Sequence, residues 1–206
     1  MSKIIAISGI DGSGKSTCAN LIKEYLNSKG ISAVIIDAMK EGIVLTELKN
    51  LINCNNAELR TALSPGTYNL CWIAELLYNF AQKVQKHIDS GEFVILHRTE
   101  LCCRVYSRLF DPICDATDRI LNCVNLNYDI HIFLQISPEE AYKRILLRST
   151  DGITDKEMLD LLKEASKLYS MYLSTSCYSD TVLIESNCSF EHLASQVQTI
   201  MTRYKL

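Results

Sequence analysis

The chain has 206 residues, enough for one α/β domain with a small lid or insertion. Its 21 Lys and Arg against 24 Asp and Glu give a net charge of −3, so there is no basic excess to neutralise a nucleic-acid backbone. We therefore expect no nucleic-acid polymer as a partner. No stretch approaches the roughly 20 apolar residues that span a bilayer, so we expect no membrane association either.

The cysteines narrow the class of protein further. There are nine, an odd number, and no Cys-x-x-Cys pair or Cys/His ligand spacing occurs among them. We interpret them as buried free thiols of a reducing compartment rather than as a disulfide framework. The first apolar run is too short for a signal peptide, so we expect a cytoplasmic protein.

Apolar runs and helical patterns alternate along the chain. Several of the runs are continuous, which favours strands buried on both faces of a parallel sheet. The predicted strands are Ile4–Ser8, Ala33–Asp37, Phe93–Leu96, Ile130–Ile136 and Thr181–Ile184. The predicted helices are Ser16–Lys29, Tyr68–Asp89, Pro138–Arg148, Lys156–Leu173 and Phe190–Arg203. This order predicts an α/β fold, with a five-stranded parallel sheet flanked by helices on both faces.

Local signals mark two helix starts and one irregular segment. Ser137 with Glu140, and Thr154 with Glu157, each place a hydroxyl at the N-cap and a glutamate three residues later, which is the capping-box pattern. The segment 41–66 is the least regular part of the chain, and we interpret it as a mobile flap beside the substrate site.

The most specific motif is Gly9-Ile-Asp-Gly-Ser-Gly-Lys-Ser16, which follows the first strand and opens the first helix. Glycines let such a loop turn its backbone N–H groups toward a polyphosphate, and the helix N-terminus adds its dipole. Lys15 is predicted to reach the β and γ phosphates, and the Ser16 hydroxyl to bind Mg²⁺. We therefore expect ATP and Mg²⁺ as cofactors. The predicted ATP-binding residues are Gly9, Ile10, Asp11, Gly12, Ser13, Gly14, Lys15, Ser16 and Thr17.

Asp11 is an unusual residue for a phosphate loop. A carboxylate beside bound phosphates is repulsive unless it serves Mg²⁺ or a hydroxyl of the second substrate. The alternative is an aspartate that fixes the turn by bonding nearby backbone.

From this loop onwards the chain resembles the thymidylate kinase family of nucleoside monophosphate kinases. Gly91-Glu-Phe-Val-Ile-Leu-His-Arg-Thr99 has the spacing of the family's glycine, strand and Asp-Arg-Tyr. The family's Ala-Tyr-Gln falls on Val105-Tyr106-Ser107, and its later strand and helix fall on residues 128–144. The resemblance implies a P-loop kinase fold and a single domain over residues 1–206.

The resemblance also implies roles for three arginines. Arg98 matches the family arginine that holds the acceptor phosphate or the transferring group, and Arg144 and Arg148 match the arginines of a small helical lid at about 144–156. A pair four residues apart on one helix face could stabilise charge on the transferring phosphoryl group. A surface or ion-paired arginine is the alternative for Arg98, and a solvated helix face is the alternative for the lid pair. The predicted catalytic residues are Lys15, Arg98, Arg144, Arg148 and Asp11.

The chain departs from the family pattern in the acceptor half of the site. It reads Asp37-Ala-Met-Lys-Glu-Gly42 where the family has Arg-Glu-Pro-Gly-Gly-Thr, and His97 replaces the Asp of Asp-Arg-Tyr. Ser107 replaces the glutamine expected at thymine, and Leu76 stands near the position of a base-packing arginine. Specificity of this kind depends on buried polar partners, so thymine recognition is not implied. The predicted acceptor-binding residues are Asp37, His97, Arg98, Tyr106 and Ser107.

Two of these residues have alternative roles. His97 could act as a base or phosphate ligand, or be a hydrogen-bonded structural histidine. Asp37 would be the general base if the acceptor were an alcohol, and would bind a sugar or base edge if the acceptor were a phosphate.

Three functions are consistent with these patterns. We expect an ATP-dependent phosphotransferase that acts on a nucleoside monophosphate, which need not be dTMP. The alternatives are a kinase of a hydroxyl on a nucleoside or other small metabolite, with Asp37 as base, and a non-catalytic ATP-binding regulatory protein.

The resemblance also implies a homodimer that pairs through sheet-flanking helices. The predicted helix at Tyr68–Asp89 carries four large apolar residues suited to such an interface, Trp72, Leu76, Leu77 and Phe80. The alternative is ordinary core packing, because apolar helical stripes normally face the protein's own sheet.

Overall fold

The structure, a computed structural model, describes residues 3–39, 42–53, 58–59, 62–111, 115–124, 126–148 and 155–206. Its strands are β1 (Ile4–Ser8), β2 (Ala33–Asp37), β3 (Phe93–His97), β4 (Ile130–Gln135) and β5 (Val182–Glu185). Its helices are α1 (Lys15–Ser28), α2 (Ile43–Ile52), α3 (Pro65–Asn79), α4 (Gln85–Asp89), α5 (Glu100–Phe110), α6 (Ala116–Cys123), α7 (Pro138–Arg148), α8 (Asp155–Leu173) and α9 (Phe190–Arg203).

The five strands form one parallel sheet, as the alternation of apolar runs and helices predicts. Their order in the sheet is β2-β3-β1-β4-β5. Strands β1 and β2 have the predicted bounds, and the other three end within one residue of them. Both faces of the sheet are covered. Ile5, Ala6 and Ile7 are consecutive and completely buried, which explains why the first strand reads as a continuous apolar run.

Different helices cover the two faces of the sheet. On one face, Cys18, Ile22 and Leu26 of α1 pack with Leu193 and Val197 of α9 against the strands. On the other face, α5 and α8 pack over β4, and α3 packs over β2 and β3. The chain therefore leaves β1 toward one face and β3 toward the other. Such a divergence between neighbouring parallel strands opens a crevice at their carboxyl ends.

Three helices are missing from the sequence prediction, namely α2, α5 and α6. The prediction that 41–66 is irregular is wrong where the structure describes it, because Ile43–Ile52 is helical and Pro65 begins α3. That this segment is a flap beside the substrate site stays a prediction. Ser64 is the N-cap of α3 and accepts a hydrogen bond from the backbone N–H of Thr67. Residues 41, 54–57 and 60–61 of the segment lie outside the described residues.

The single predicted helix Tyr68–Asp89 begins three residues earlier and is interrupted. A π-helical turn at Phe80–Val84 separates α3 from α4. The predicted N-cap at Ser137 is confirmed, because its hydroxyl accepts from the backbone N–H of Glu140 at 3.3 Å. The second predicted cap, at Thr154, and residues 149–154 of the predicted lid lie outside the described residues.

Two expectations concern the chain as a whole. Within the described ranges, no helix is long and apolar enough to cross a membrane. The seven cysteines that the structure describes are all free thiols. Cys18, Cys102 and Cys103 are buried as predicted, whereas the expectation of burial is wrong for Cys123 and Cys177, which are exposed.

Candidate active site

The loop between β1 and α1 lies at the carboxyl end of the central strand and is pressed against the start of α7. Gly12 has a φ of +81°, and a Cβ on it would lie 2.4 Å from the carbonyl oxygen of Ala141 in α7. This backbone conformation is strained for L residues, and the space is already filled by backbone, so glycine is required here.

The Lys15 side chain lies at the floor of this loop and is only 6% exposed. Its Nζ donates to the carbonyl oxygens of Gly9 at 2.9 Å and Ile10 at 2.8 Å. Burial lowers the pKa of Lys15, and the carboxylate of Asp11, whose Oδ1 is 3.6 Å from Nζ, opposes that effect. The loop therefore holds a cation at its centre, and the contact of Lys15 with the β and γ phosphates stays a prediction.

Asp11 lies where three elements of the site meet. Its Oδ1 is 3.7 Å from Nη2 of Arg98, and its Oδ2 accepts a hydrogen bond from the hydroxyl of Tyr106 at 3.1 Å. Burial, with the Asp11 charge adding to it, raises the pKa of Tyr106 well above its ordinary value, so this hydroxyl stays a donor. Asp11 is thus bonded to side chains across the crevice, which the turn-fixing alternative does not require.

Arg98 follows β3 in an uncommon backbone conformation, with a φ of +71°. Its backbone N–H donates to the carbonyl oxygen of Ile7 at 3.3 Å, which fixes the turn to the end of β1. Its Nε lies 3.8 Å from Oδ2 of Asp37 and, among the described residues, has no hydrogen-bond partner. Conformations of this kind cost free energy and are concentrated at functional sites, so this outlier is itself a functional signal.

Asp37 and His97 end neighbouring strands and are paired in the β2–β3 register. His97 Nδ1 lies 3.4 Å from Asp37 Oδ2, and His97 Nε2 lies 3.2 Å from the hydroxyl oxygen of Ser16. Asp37 Oδ1 accepts from the backbone N–H of Met39 at 3.0 Å. Burial works against the charge on Asp37, but hydrogen bonds from His97 and Met39, with the nearby Arg98 charge, lower its pKa.

A cavity of about 130 Å³ lies above the first turn of α1. Asp37 and Tyr106, which were predicted to bind the acceptor, lie beside it and do not line it. Its lining residues are Asp11, Gly12, Gly14, Lys15, Ser16, Thr17, His97, Arg98 and Arg148. The lining combines three cations, one carboxylate and a helix N-terminus, an arrangement that attracts a phosphate group.

The two arginines that the resemblance assigns to a lid, Arg144 and Arg148, lie in α7 and reach the site differently. Arg148 lines the cavity. Arg144 lies beside the loop, where a Cβ on Gly14 would be 4.0 Å from its Nη1. Its Nη2 donates to the carbonyl oxygen of Ser186 at 2.8 Å, and its Nε is 3.5 Å from Glu140. Arg144 therefore ties α7 to the turn that follows β5.

Ser107 lies on α5 and does not line the cavity. It is buried, and its carbonyl oxygen accepts from Nδ2 of Asn69 at 3.2 Å. Ser107 Oγ and Asn69 Oδ1 have no hydrogen-bond partner within the part of the chain that the structure describes. The Trp72 ring is 6.3 Å from that of Tyr106. Asn69 is missing from the sequence prediction, although an amide inside an apolar helical pattern was a usable signal.

Tyr169 in α8 is a second residue that the sequence reasoning did not single out. Its ring is completely buried, and its hydroxyl lies 3.3 Å from the carbonyl oxygen of Gly9 and 3.2 Å from Sγ of Cys102. Burial raises the pKa of Tyr169 well above its ordinary value, so it remains protonated. Tyr169 thus supports the phosphate loop from beneath.

The donor atoms around the cavity fit a magnesium ion. Ser16 is exposed at the first turn of α1, and Asp11 supplies carboxylate oxygens nearby. Mg²⁺ prefers oxygen ligands and is held by one or two protein groups together with substrate phosphates. Among the described residues, no cluster of three or more His, Cys, Asp or Glu could hold a metal by itself.

The chain matches the family model described as thymidylate kinase over residues 7–197. It is 24% identical to a protein named thymidylate kinase from Legionella pneumophila (strain Corby), over 98% of this chain and 95% of that one. It is 25% identical to a thymidylate kinase from Thermosipho africanus (strain TCF52B), over 97% and 98% of the two chains. A third, from Thermoanaerobacter sp. (strain X514), is 27% identical over 81% of each chain.

The family match covers nearly the whole chain, and it includes the phosphate loop, the turn at Arg98 and the lid arginines. The sheet order, the loop and the cluster at the carboxyl ends of β1 and β3 are consistent with the same conclusion. The chain belongs to the thymidylate kinase family of nucleoside monophosphate kinases.

Proposed function

We propose that this enzyme transfers the γ-phosphoryl group of ATP, with Mg²⁺, to the phosphate of a nucleoside monophosphate. One observation supports this most strongly. Lys15 from the phosphate loop and Arg98 from the end of β3 meet the same carboxylate, Asp11, within 3.7 Å. A donor-side cation and an acceptor-side cation thus lie at one cavity, as transfer between two phosphates requires.

The donor half is formed by the phosphate loop. Backbone N–H groups of the loop and the N-terminus of α1 would bind the β and γ phosphates, and Lys15 would move from the Gly9 and Ile10 carbonyls to those oxygens. Ser16 would ligate Mg²⁺, which neutralises charge on the phosphates when it is bound.

Positioning and electrostatics would account for most of the catalysis. Arg98 would hold the acceptor phosphate in line with the donor. Arg148, and Arg144 after release from Glu140, would stabilise the charge that spreads over the transferring group. Asp11 would orient the acceptor or the metal once the phosphates compete for its cationic partners.

The lowered pKa of Asp37 favours a phosphate acceptor over a hydroxyl acceptor. A general base works best when its pKa lies near the working pH. Asp37 accepts from the backbone of Met39 and faces His97 and Arg98, and its pKa is lowered rather than raised. A hydroxyl kinase that uses Asp37 as base is the second candidate, because this carboxylate lies at the end of β2, within reach of a group held by the neighbouring Arg98.

The acceptor base would lie along α3 and α5, near Trp72 and Tyr106. The relatives are named thymidylate kinases, so thymidylate is the first acceptor to test. Ser107 and Leu76 replace groups that the family pattern associates with the base. Our proposal therefore specifies a nucleoside monophosphate and leaves its base to experiment.

The test is an ADP-release assay with MgATP and a panel of nucleoside monophosphates and nucleosides. We expect one or more monophosphates to be accepted, and the rate to fall at least 100-fold in Lys15→Ala, because this cation contacts the transferring phosphates. Lys167→Ala is the matched control, since that lysine is 74% exposed and pairs only with Glu164 in the described structure. Release of ADP that requires a nucleoside and no monophosphate would contradict the proposal.

We also propose that the protein forms a homodimer, through α2 and α3. The apolar side chains named from the sequence pack on the chain's own core instead, with Leu76 completely buried. Other apolar residues on these helices are exposed, namely Ile43, Leu51, Ile52, Leu70 and Tyr78. Light scattering should give twice the chain mass of 23.3 kDa, and Leu70→Glu should halve it. A wild-type mass of 23.3 kDa at micromolar concentration would contradict the dimer.

A further inference from the structure

His97 connects two groups that the proposed function uses separately. One ring nitrogen, Nδ1, lies 3.4 Å from the Asp37 carboxylate, and the other, Nε2, lies 3.2 Å from the Ser16 hydroxyl. The imidazole is mostly buried, with 13% of its side chain exposed, whereas Ser16 is exposed at the start of α1. A carboxylate, an imidazole and a hydroxyl therefore form a short chain that ends at the predicted metal ligand.

The Asp37 carboxylate fixes the direction of the hydrogen bonds among Asp37, His97 and Ser16. A carboxylate only accepts hydrogen bonds, so Nδ1 carries the proton that faces Asp37. In the neutral imidazole the other nitrogen is then an acceptor. In this neutral form Nε2 accepts the Ser16 O–H, and the lone pairs of the Ser16 oxygen turn away from His97 toward the cavity.

We propose that the Asp37–His97 pair orients the Ser16 hydroxyl for the nucleotide-bound metal, so that His97 and Asp37 are positioning residues of the metal side. This assignment rests on the proposed function and changes the role of both residues, which the sequence places at the acceptor. Groups that hydrogen-bond a metal ligand fix its orientation and strengthen its bond to the ion.

The surroundings of the pair support this assignment. Asp37 is itself held, because its second oxygen accepts from the Met39 backbone at 3.0 Å. The β2–β3 register places its backbone directly beside His97, so the pair is built on two strands rather than on loops. Arg98, the next residue, also faces Asp37, at 3.8 Å, and is thereby kept beside the same carboxylate.

The test measures metal binding apart from phosphoryl transfer. Mn²⁺ replaces Mg²⁺, and its affinity for the protein–ADP complex is read from the electron paramagnetic resonance signal of free Mn²⁺, with no acceptor present. His97→Leu removes the acceptor nitrogen at similar volume, whereas His97→Gln keeps an acceptor oxygen at similar reach. ADP affinity in EDTA reports whether the loop itself is intact.

We expect His97→Leu to weaken Mn²⁺ binding about tenfold, the lower end of the usual loss for such supporting groups. Glutamine should restore most of it, and ADP affinity in EDTA should stay within about twofold of wild type. In the kinase assay, the KM for MgATP should rise while the KM for the acceptor stays unchanged.

Two results would overturn the assignment. One is Mn²⁺ affinity in His97→Leu within about twofold of wild type. The other is a rise in the acceptor KM alone, which would place His97 at the acceptor. These outcomes are distinguishable from failure of the proposed function, because Mn²⁺–ADP binding is measured without any acceptor, whereas the proposed function fails when wild type phosphorylates no monophosphate.

Discussion

The Asp37→Asn variant distinguishes an enzyme that transfers the phosphoryl group to a phosphate from one that transfers it to a hydroxyl. The change removes one negative charge. It keeps one oxygen, which accepts from the Met39 backbone, and places an amide NH2 where the other carboxylate oxygen faces His97. The Arg98 guanidinium is 3.8 Å away, where an effective dielectric constant of about 20 gives roughly 4 kcal/mol between full charges. Because about a quarter of Asp37 and a third of Arg98 are exposed, we discount this to about 1 kcal/mol.

When that free energy is lost in full from transition-state binding by Arg98, kcat/KM falls about fivefold, since about 1.4 kcal/mol is tenfold. Loss of a general base costs 10² to 10⁴ instead. The assay is ADP release with the preferred acceptor at saturating MgATP. Asp115→Asn is the matched control, because that carboxylate is 63% exposed and pairs with Arg119 on the surface. A fall of 100-fold or more in Asp37→Asn alone would refute the assignment of a phosphate acceptor.

Three further substitutions test how the site is built. Gly12→Ala should weaken MgATP binding, measured by calorimetry, at least tenfold. The new Cβ would lie 2.4 Å from the Ala141 oxygen, and the positive φ costs an L residue about 1–2 kcal/mol. Unchanged affinity would contradict this packing. Gly42→Ala should lower the free energy of unfolding, measured in urea, by about 1–3 kcal/mol. The new Cβ would overlap the Glu75 carboxylate, which accepts a hydrogen bond from the Leu45 backbone. An unchanged free energy of unfolding would contradict that contact. Asp118→Asn should lower the melting temperature at pH 7 by about 4–8 °C. Arg104, Arg108 and Tyr172 all donate hydrogen bonds to this carboxylate, and weakening them costs about 2 kcal/mol of stability.

The Asp118 network also predicts a pH dependence. Burial opposes the charge on Asp118, but hydrogen bonds from Arg108, Tyr172 and Arg104 outweigh it and lower the pKa. A lowered carboxyl pKa stabilises the fold above the unfolded value near 4, and the contribution is lost as the pH falls through the folded value. The difference in unfolding free energy between wild type and Asp118→Asn should therefore shrink below about pH 4 in urea titrations. A difference independent of pH would contradict the network.

The sheet was predictable because its strands are buried on both faces. Continuous apolar runs such as Ile4–Ser8 leave little choice of structure. The strand order was not predictable in the same way, because the handedness of a crossover does not fix how many strands it passes over. Helix α5 was harder to recognise. Thr99 caps it by accepting from Leu101. Its pattern is amphipathic, because Arg104 and Arg108 are four residues apart on one face while its two adjacent cysteines are buried, but the segment is only eleven residues long. The π-helical turn at Phe80–Val84 was not predictable, because one inserted residue leaves the local composition unchanged.

The candidate site divides in the same way. The phosphate loop is a local feature, so Lys15 and Ser16 could be located by motif and flanking elements alone. The contact between His97 and Ser16 joins residues 81 positions apart and depends on how β3 meets the start of α1. Asp37 was placed at the carboxyl end of its strand correctly, but its partners follow from the β2–β3 register, which no local pattern specifies.

The most direct test of the central claim is the identity of the bond that is formed. Wild-type enzyme, MgATP and each nucleoside monophosphate are incubated, and the products are read by phosphorus NMR. We predict equal amounts of ADP and a nucleoside diphosphate. The phosphorus signal of the transferred group should be coupled to a second phosphorus, and Lys15→Ala should form no product. A new phosphate monoester on a hydroxyl, without phosphorus–phosphorus coupling, would contradict it.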